Sequence, residues 1–147
     1  MTEALRLYGP AVLAWGLVVG KLVKWRRQRS LTGGTLWLIL IGLACAFTFM
    51  TPEPYHAVAE LTGVPNIGRL LSHVCMLLAV WAAQAMLLGL TKSDIREHRW
   101  WLVTSIVVLS VVFALADTPV DDPRFASRYS ETPWVLEYWL VFFAGLA

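Results

Sequence analysis

The chain has 147 residues, of which 58% are hydrophobic and 15% charged, with a mean hydropathy of +0.62 and a formal net charge of +2. That composition is too apolar for an ordinary soluble domain, and so small a charge, carried by residues set beside apolar segments, excludes a dedicated nucleic-acid binder. Uncharged runs cover residues 7–20, 30–52, 70–91 and 100–116. They predict an all-α, multi-pass transmembrane bundle in the cell membrane, a single membrane-embedded domain with the lipid bilayer as its main partner.

The first predicted helix covers residues 8–23, with Pro10 tolerated in its opening turn and Lys21 and Lys24 snorkelling from the far end. Glu3 offsets Arg6 and the basic cluster follows the apolar run, so the segment reads as a retained helix and not as a signal peptide. Gly16 and Gly20 have the GxxxG spacing that permits close helix approach, to a helix partner or a second copy of the chain, and chance explains the spacing equally well. The block Lys21, Lys24, Arg26, Arg27 and Arg29 marks the next loop as cytoplasmic, which places the amino terminus outside.

A second helix is predicted over 34–50, with Gly42 and Ala46 suited to tight packing, and Thr51, Pro52 and Pro54 ending it. The outer segment that follows predicts a short interfacial helix with Tyr55, Val58 and Leu61 on its apolar face and Gly63 and Pro65 at its end. His56 and Glu60 lie one turn apart, a pair of metal ligands without a third, so a solvated helix face is the preferred reading.

The third helix, residues 66–90 with Asn66 as its cap, is the one on which the chain is organised. Its polar residues Arg69, Ser72, His73 and Gln84 fall within about 120° of one another at 100° per residue. A polar arc on a membrane helix should face protein or water, because leaving a charge in lipid costs at least about 2.5 kcal/mol. Gln84 lies about 22 Å further along the helix than Arg69, where interhelical hydrogen bonding is its expected role.

Lys92, Arg96 and Arg99 then mark a second inner loop, and Trp100 and Trp101 anchor a fourth helix over 100–116, expected to be the most lipid-facing of the set. Eight basic residues fall on the inner side of this arrangement against four outside or at the outer boundary. An outer loop rich in proline and mixed charge follows, in which Phe125 and Tyr129 leave room for a folded lid. The last predicted helix, 134–147, carries Glu137 and has only about 21 Å of length, so the expectation is the start of a fifth span in a longer protein.

Arg69, Ser72, His73 and Glu137 all start near the outer face and are expected to meet in a polar cluster there, as a ligand, ion or proton site or as a clamp on helix register. Cys45 and Cys75 lack metal spacing and are expected to be buried free thiols, with a bridge between them left open. No metal site, cofactor or catalytic motif is predicted, so an enzyme is the least supported class. The segments GVPNIGRLLSHV and RYSETPWVLEY, set among apolar helices with a basic first inner loop, resemble an actinobacterial family of uncharacterised multi-pass membrane proteins often labelled transporters. The resemblance implies further helices and a cytosolic carboxyl-terminal region. Three functions are carried forward: a transporter-like module using the third helix as part of a pathway, a sensor coupling an outer signal to a cytosolic region, and a structural or partner-binding scaffold.

Overall fold

The computed structural model of the chain describes residues 2–27, 31–91 and 96–146. Their only regular secondary structure is helical, with no strand among the described residues: α1 (Thr2–Arg27), α2 (Leu31–Phe49), α3 (Pro52–Thr62), α4 (Ile67–Thr91), α5 (Arg96–Leu115), α6 (Phe125–Arg128) and α7 (Val135–Leu146). The Lys92 to Ile95 part of the second predicted inner loop lies outside the described residues, as do Arg29 and the side chains of Arg26, Arg27 and Arg96.

Two helices, Ala4–Lys24 and Ile67–Gly89, are long and apolar enough to cross a membrane. A third span exists only if α2 and α3 count as one, and the two meet at an angle of 82°. The apolar parts of α5 and α7, Arg99–Leu115 and Val135–Leu146, are shorter. The membrane character of the chain therefore rests on two or three helices.

The break between α2 and α3 has a local cause. Pro52 and Pro54 supply no amide to continue the α2 ladder, while both suit the first turn of a new helix, so the chain restarts in a new direction. Gly63, at φ 70°, ends α3 in the left-handed region, and its amide donates to the Ala59 carbonyl at 2.8 Å. The buried face of α3 is Tyr55 and Ala59, one turn apart; Leu61 is 86% exposed, so the expected face of Tyr55, Val58 and Leu61 is rotated toward Ala59.

α4 is the interior helix. It packs against α2, α3, α5 and α7. On the α2 side the backbones approach closely at Gly42, where an added Cβ would sit 3.0 Å from both the Cys75 carbonyl oxygen and the Ala79 Cβ. Ala46, Ala79 and Ala82 are buried around this seam, while Ala44 is buried on the other side of α2 with Ala14 and Val18 of α1, and small residues here let helices gain dispersion contacts that lipid cannot match. Cys45 and Cys75 are free, half-buried thiols.

On the opposite side Leu77, Leu109, Val112, Phe113, Tyr138 and Phe142 join α4, α5 and α7, and Phe125, Tyr129 and Val135 extend the same cluster up into the loop before α7. That loop is thus packed into the core by two rings. The most peripheral helix is α1, which exposes Leu5, Val12, Leu13, Leu17, Val19 and Val23; α5, expected to hold that place, exposes Trp100, Trp101 and a valine-rich face but buries Ser105, Leu109, Val112 and Phe113. Gly16 and Gly20 have nothing within 4 Å of an added Cβ, so the GxxxG spacing is unused among the described residues.

Candidate functional site

The polar residues concentrate at one end of the helices, where α3, the start of α4 and the loop between α5 and α7 converge. Asn66 is the centre of that convergence. It is fully buried and stands at φ 59°, a region open to asparagine at modest cost because its short polar side chain bonds locally. Its side chain does not cap α4 as expected, although its carbonyl accepts from the Arg69 amide at 2.9 Å. Instead Oδ1 accepts from the Tyr55 hydroxyl (2.8 Å) and the Asp122 amide (3.0 Å), while Nδ2 donates to the carbonyls of Val120 (2.9 Å) and Thr118 (3.3 Å). The Asn66 amide donates to Asp121 Oδ1 at 2.7 Å. Every hydrogen-bonding position of the amide side chain is used, which is the condition for burying it without penalty.

Asp121 ties the same loop to α3, since its other carboxylate oxygen pairs with His56 Nδ1. The helical-spacing partner considered for His56, Glu60, only lines the shallow pocket beside this pair, together with Gly63, Pro65 and Pro119. Among the described residues no group of three metal-ligating side chains occurs. Further along, Asp122 Oδ2 accepts from Arg128 Nη1 at 2.8 Å and its Oδ1 from the Arg124 amide at 2.8 Å. The Arg128 hydrogen bond holds the Asp122 carboxyl below the usual carboxylate range, with the Arg124 amide adding to it. Val120 is held by the Tyr129 phenol, which donates to its carbonyl at 2.7 Å and lies 3.0 Å from its amide.

The predicted cluster divides. Arg69, Ser72 and His73 share the buried face of α4, being 9%, 0% and 3% exposed, whereas Glu137 is exposed on α7. Glu137 therefore does not join them, and its neighbour takes the place: Tyr138 is fully buried and a 2.6 Å hydrogen bond joins its hydroxyl to His73 Nδ1. The one-residue difference is a matter of helix register. In α7 the inward positions are Val135, Tyr138 and Phe142, spaced three and four apart, and residue 137 falls on the outer face. His73 is further stacked on Phe142 with ring centroids 3.9 Å apart and stands edge-on to Trp139 at 5.1 Å. Its surroundings are thus a box of aromatic rings with one hydroxyl. Tyr138→Phe is expected to lose about 1–2 kcal/mol by leaving His73 Nδ1 unpaired, measured by denaturant unfolding in micelles.

Arg69 is different. Its Nη2 donates to the Pro123 carbonyl at 2.6 Å, its Nε has no partner, and it forms no ion pair among the described residues. Ser72 Oγ, one turn away, is also buried without a partner. Gln84 is half-buried near the far end of α4, well separated from this group. Missing from the sequence reading were Asn66 as a hub, Tyr55 and Tyr138 as partners, and the loop backbone as acceptor. The one signal for them was the chain's single asparagine, Asn66, together with the aspartates and tyrosines near it and before α7.

A scan against protein-family models finds no match, and searches of curated proteins and of solved structures also return none.

Proposed function

We propose that this chain is a multi-pass sensor module of the cell membrane, with its amino terminus outside, that recognises a ligand at its outer face beneath a lid formed by residues 117–129. The observation that carries the reading is the way this loop is fastened. It is folded onto α3 and α4 by Asn66, Asp121 and Arg69, and beneath it lie a buried guanidinium and a buried hydroxyl with unused hydrogen-bonding capacity. Buried polar groups that serve only to hold a fold are normally satisfied. Phe125 and Tyr129 link the lid to Tyr138 of α7, so a change in the lid's position reaches the transmembrane helices through packed rings.

A transporter-like role is the second reading, favoured by the run of Arg69, Ser72 and His73 down one buried face of α4. Against it stands the aromatic box around His73, which fills the space where a pathway would continue. The scaffold reading treats the whole network as a permanent clamp.

One experiment separates them. In a background with Cys45 and Cys75 replaced by alanine, Ser127→Cys is expected to react with a membrane-impermeant maleimide added outside intact cells. In the reconstituted protein, the amides of Val120 and Asp122 are expected to exchange through local opening, well before those of the α4 interior. Labelling from the cytoplasmic side alone would overturn the orientation. Exchange of the lid amides only with global unfolding would leave the scaffold reading in its place.

A further inference from the structure

Arg69 has no carboxylate paired with it among the described residues. It is 9% exposed, and its hydrogen-bond partners are neutral: Nη2 donates to the carbonyl of Pro123 in the lid, and the Tyr55 hydroxyl lies within its hydrogen-bonding reach. A buried guanidinium ordinarily sits opposite a carboxylate, because desolvation costs several kcal/mol unless an opposite charge offsets it. The two aspartates of the lid are otherwise engaged, Asp121 by His56 and Asn66 and Asp122 by Arg128 and Arg124.

Three features around this charge are those of an oxyanion site. Arg69 lies in the first turn of α4, a helix of 25 residues, whose opening amides and dipole favour negative charge. Ser72 Oγ, fully buried on the same face, is a hydroxyl with no partner. Arg69 Nε is a second unused donor, and a guanidinium offering Nε and an Nη together matches two oxygens of one phosphate group.

We propose that Arg69 and Ser72 form a phosphate-binding site, in which a phosphate group displaces the Pro123 carbonyl from Arg69 and so releases the lid. This rests on the lid reading above and adds its ligand class. The exchange is favourable in kind: a neutral acceptor leaves and a charged one takes its place in a poorly hydrated setting, where charge-assisted hydrogen bonds are about twice as strong as neutral ones. The phosphate has two possible sources, a soluble phosphate compound or the headgroup of an anionic lipid, since the first turn of α4 opens the span where headgroups lie.

The test uses the full chain purified in neutral detergent without phosphate, with thermal unfolding as the readout. Inorganic phosphate near saturation is expected to raise the midpoint by roughly 5 °C, with chloride at the same ionic strength giving no rise. In a second arm, nanodiscs of phosphatidylcholine are compared with nanodiscs doped with phosphatidylglycerol. A response to free phosphate identifies a soluble ligand; a response to phosphatidylglycerol alone identifies the lipid headgroup. Arg69→Gln is expected to abolish the response. Ser72→Ala, which breaks no hydrogen bond within the protein, is expected to keep the unliganded midpoint and weaken phosphate affinity about tenfold. The proposal is overturned if neither source shifts the wild-type midpoint, if chloride acts equally, or if both variants respond as the wild type does. Lid amides that still exchange by local opening in that event leave the sensor reading standing with a different ligand.

Discussion

Asn66→Ala is expected to cost about 3 kcal/mol of stability, read as a fall of roughly 6–12 °C in the unfolding midpoint of the protein in micelles. The substitution removes four hydrogen bonds at once and leaves the Thr118 carbonyl and the Asp122 amide without the Asn66 partner, while the Val120 carbonyl keeps only the Tyr129 hydroxyl. An unsatisfied buried group costs about 1–3 kcal/mol, so even partial access of water to the opened loop leaves a large deficit. The backbone adds its own share, because alanine at φ 59° pays about 1 kcal/mol that asparagine largely avoids.

The two contributions separate experimentally. Asn66→Gly removes the side chain but not the freedom to adopt φ 59°, so it should be less damaging than alanine by about 1 kcal/mol. Asn66→Asp keeps an acceptor for Tyr55 and for the Asp122 amide while losing both Nδ2 bonds, and places a second carboxylate beside Asp121. In each variant hydrogen exchange should report faster opening of residues 118–124 than of the α4 interior. An alanine variant within 1 kcal/mol of wild type would show that Asn66 is not what holds the lid.

The helices that bury themselves by apolar pattern were legible in advance. α2 and α4 were expected over 34–50 and 66–90, and the small residues Gly42 and Ala46 were expected at a tight interface, which is where they lie. The end where α3, α4 and the loop before α7 converge was less legible, since hydrogen bonds between side chains and a folded loop backbone leave no periodic trace. Asn66 illustrates this. Immediately before an apolar run an asparagine reads as a cap, and only the positions of Thr118, Val120 and Asp122, more than 50 residues away, turn it into a hub. The polar arc of α4 gave Arg69, Ser72 and His73 together because they share one helix. The partner on α7 was misplaced by one residue because the phase of a twelve-residue apolar helix is poorly defined when nearly every position is hydrophobic. Charge attraction favoured Glu137; packing register selected Tyr138.

Gly68→Ala is expected to destabilise the protein by about 2–3 kcal/mol, a large effect for a single methyl group. The added Cβ would stand 2.7 Å from Tyr55 Cδ2 and 3.1 Å from Tyr55 Cα. The ring is pinned by its hydroxyl to Asn66 and is 1% exposed, and the second contact is to backbone, so α3 as a whole must move off α4. That movement stretches the Tyr55–Asn66 bond and the His56–Asp121 pair together, so the damage should appear at the lid as well as in the global midpoint. Gly16→Ala provides the contrast within the same chain. Its added methyl meets nothing within 4 Å, and alanine is the better helix former by up to about 1 kcal/mol, so the variant should be as stable as wild type or slightly more so. Were Gly16→Ala to weaken the reconstituted protein as much as Gly68→Ala does, the open face of α1 would have to be packed against a second helix in the membrane, because the described residues supply no contact there for the methyl group to disturb.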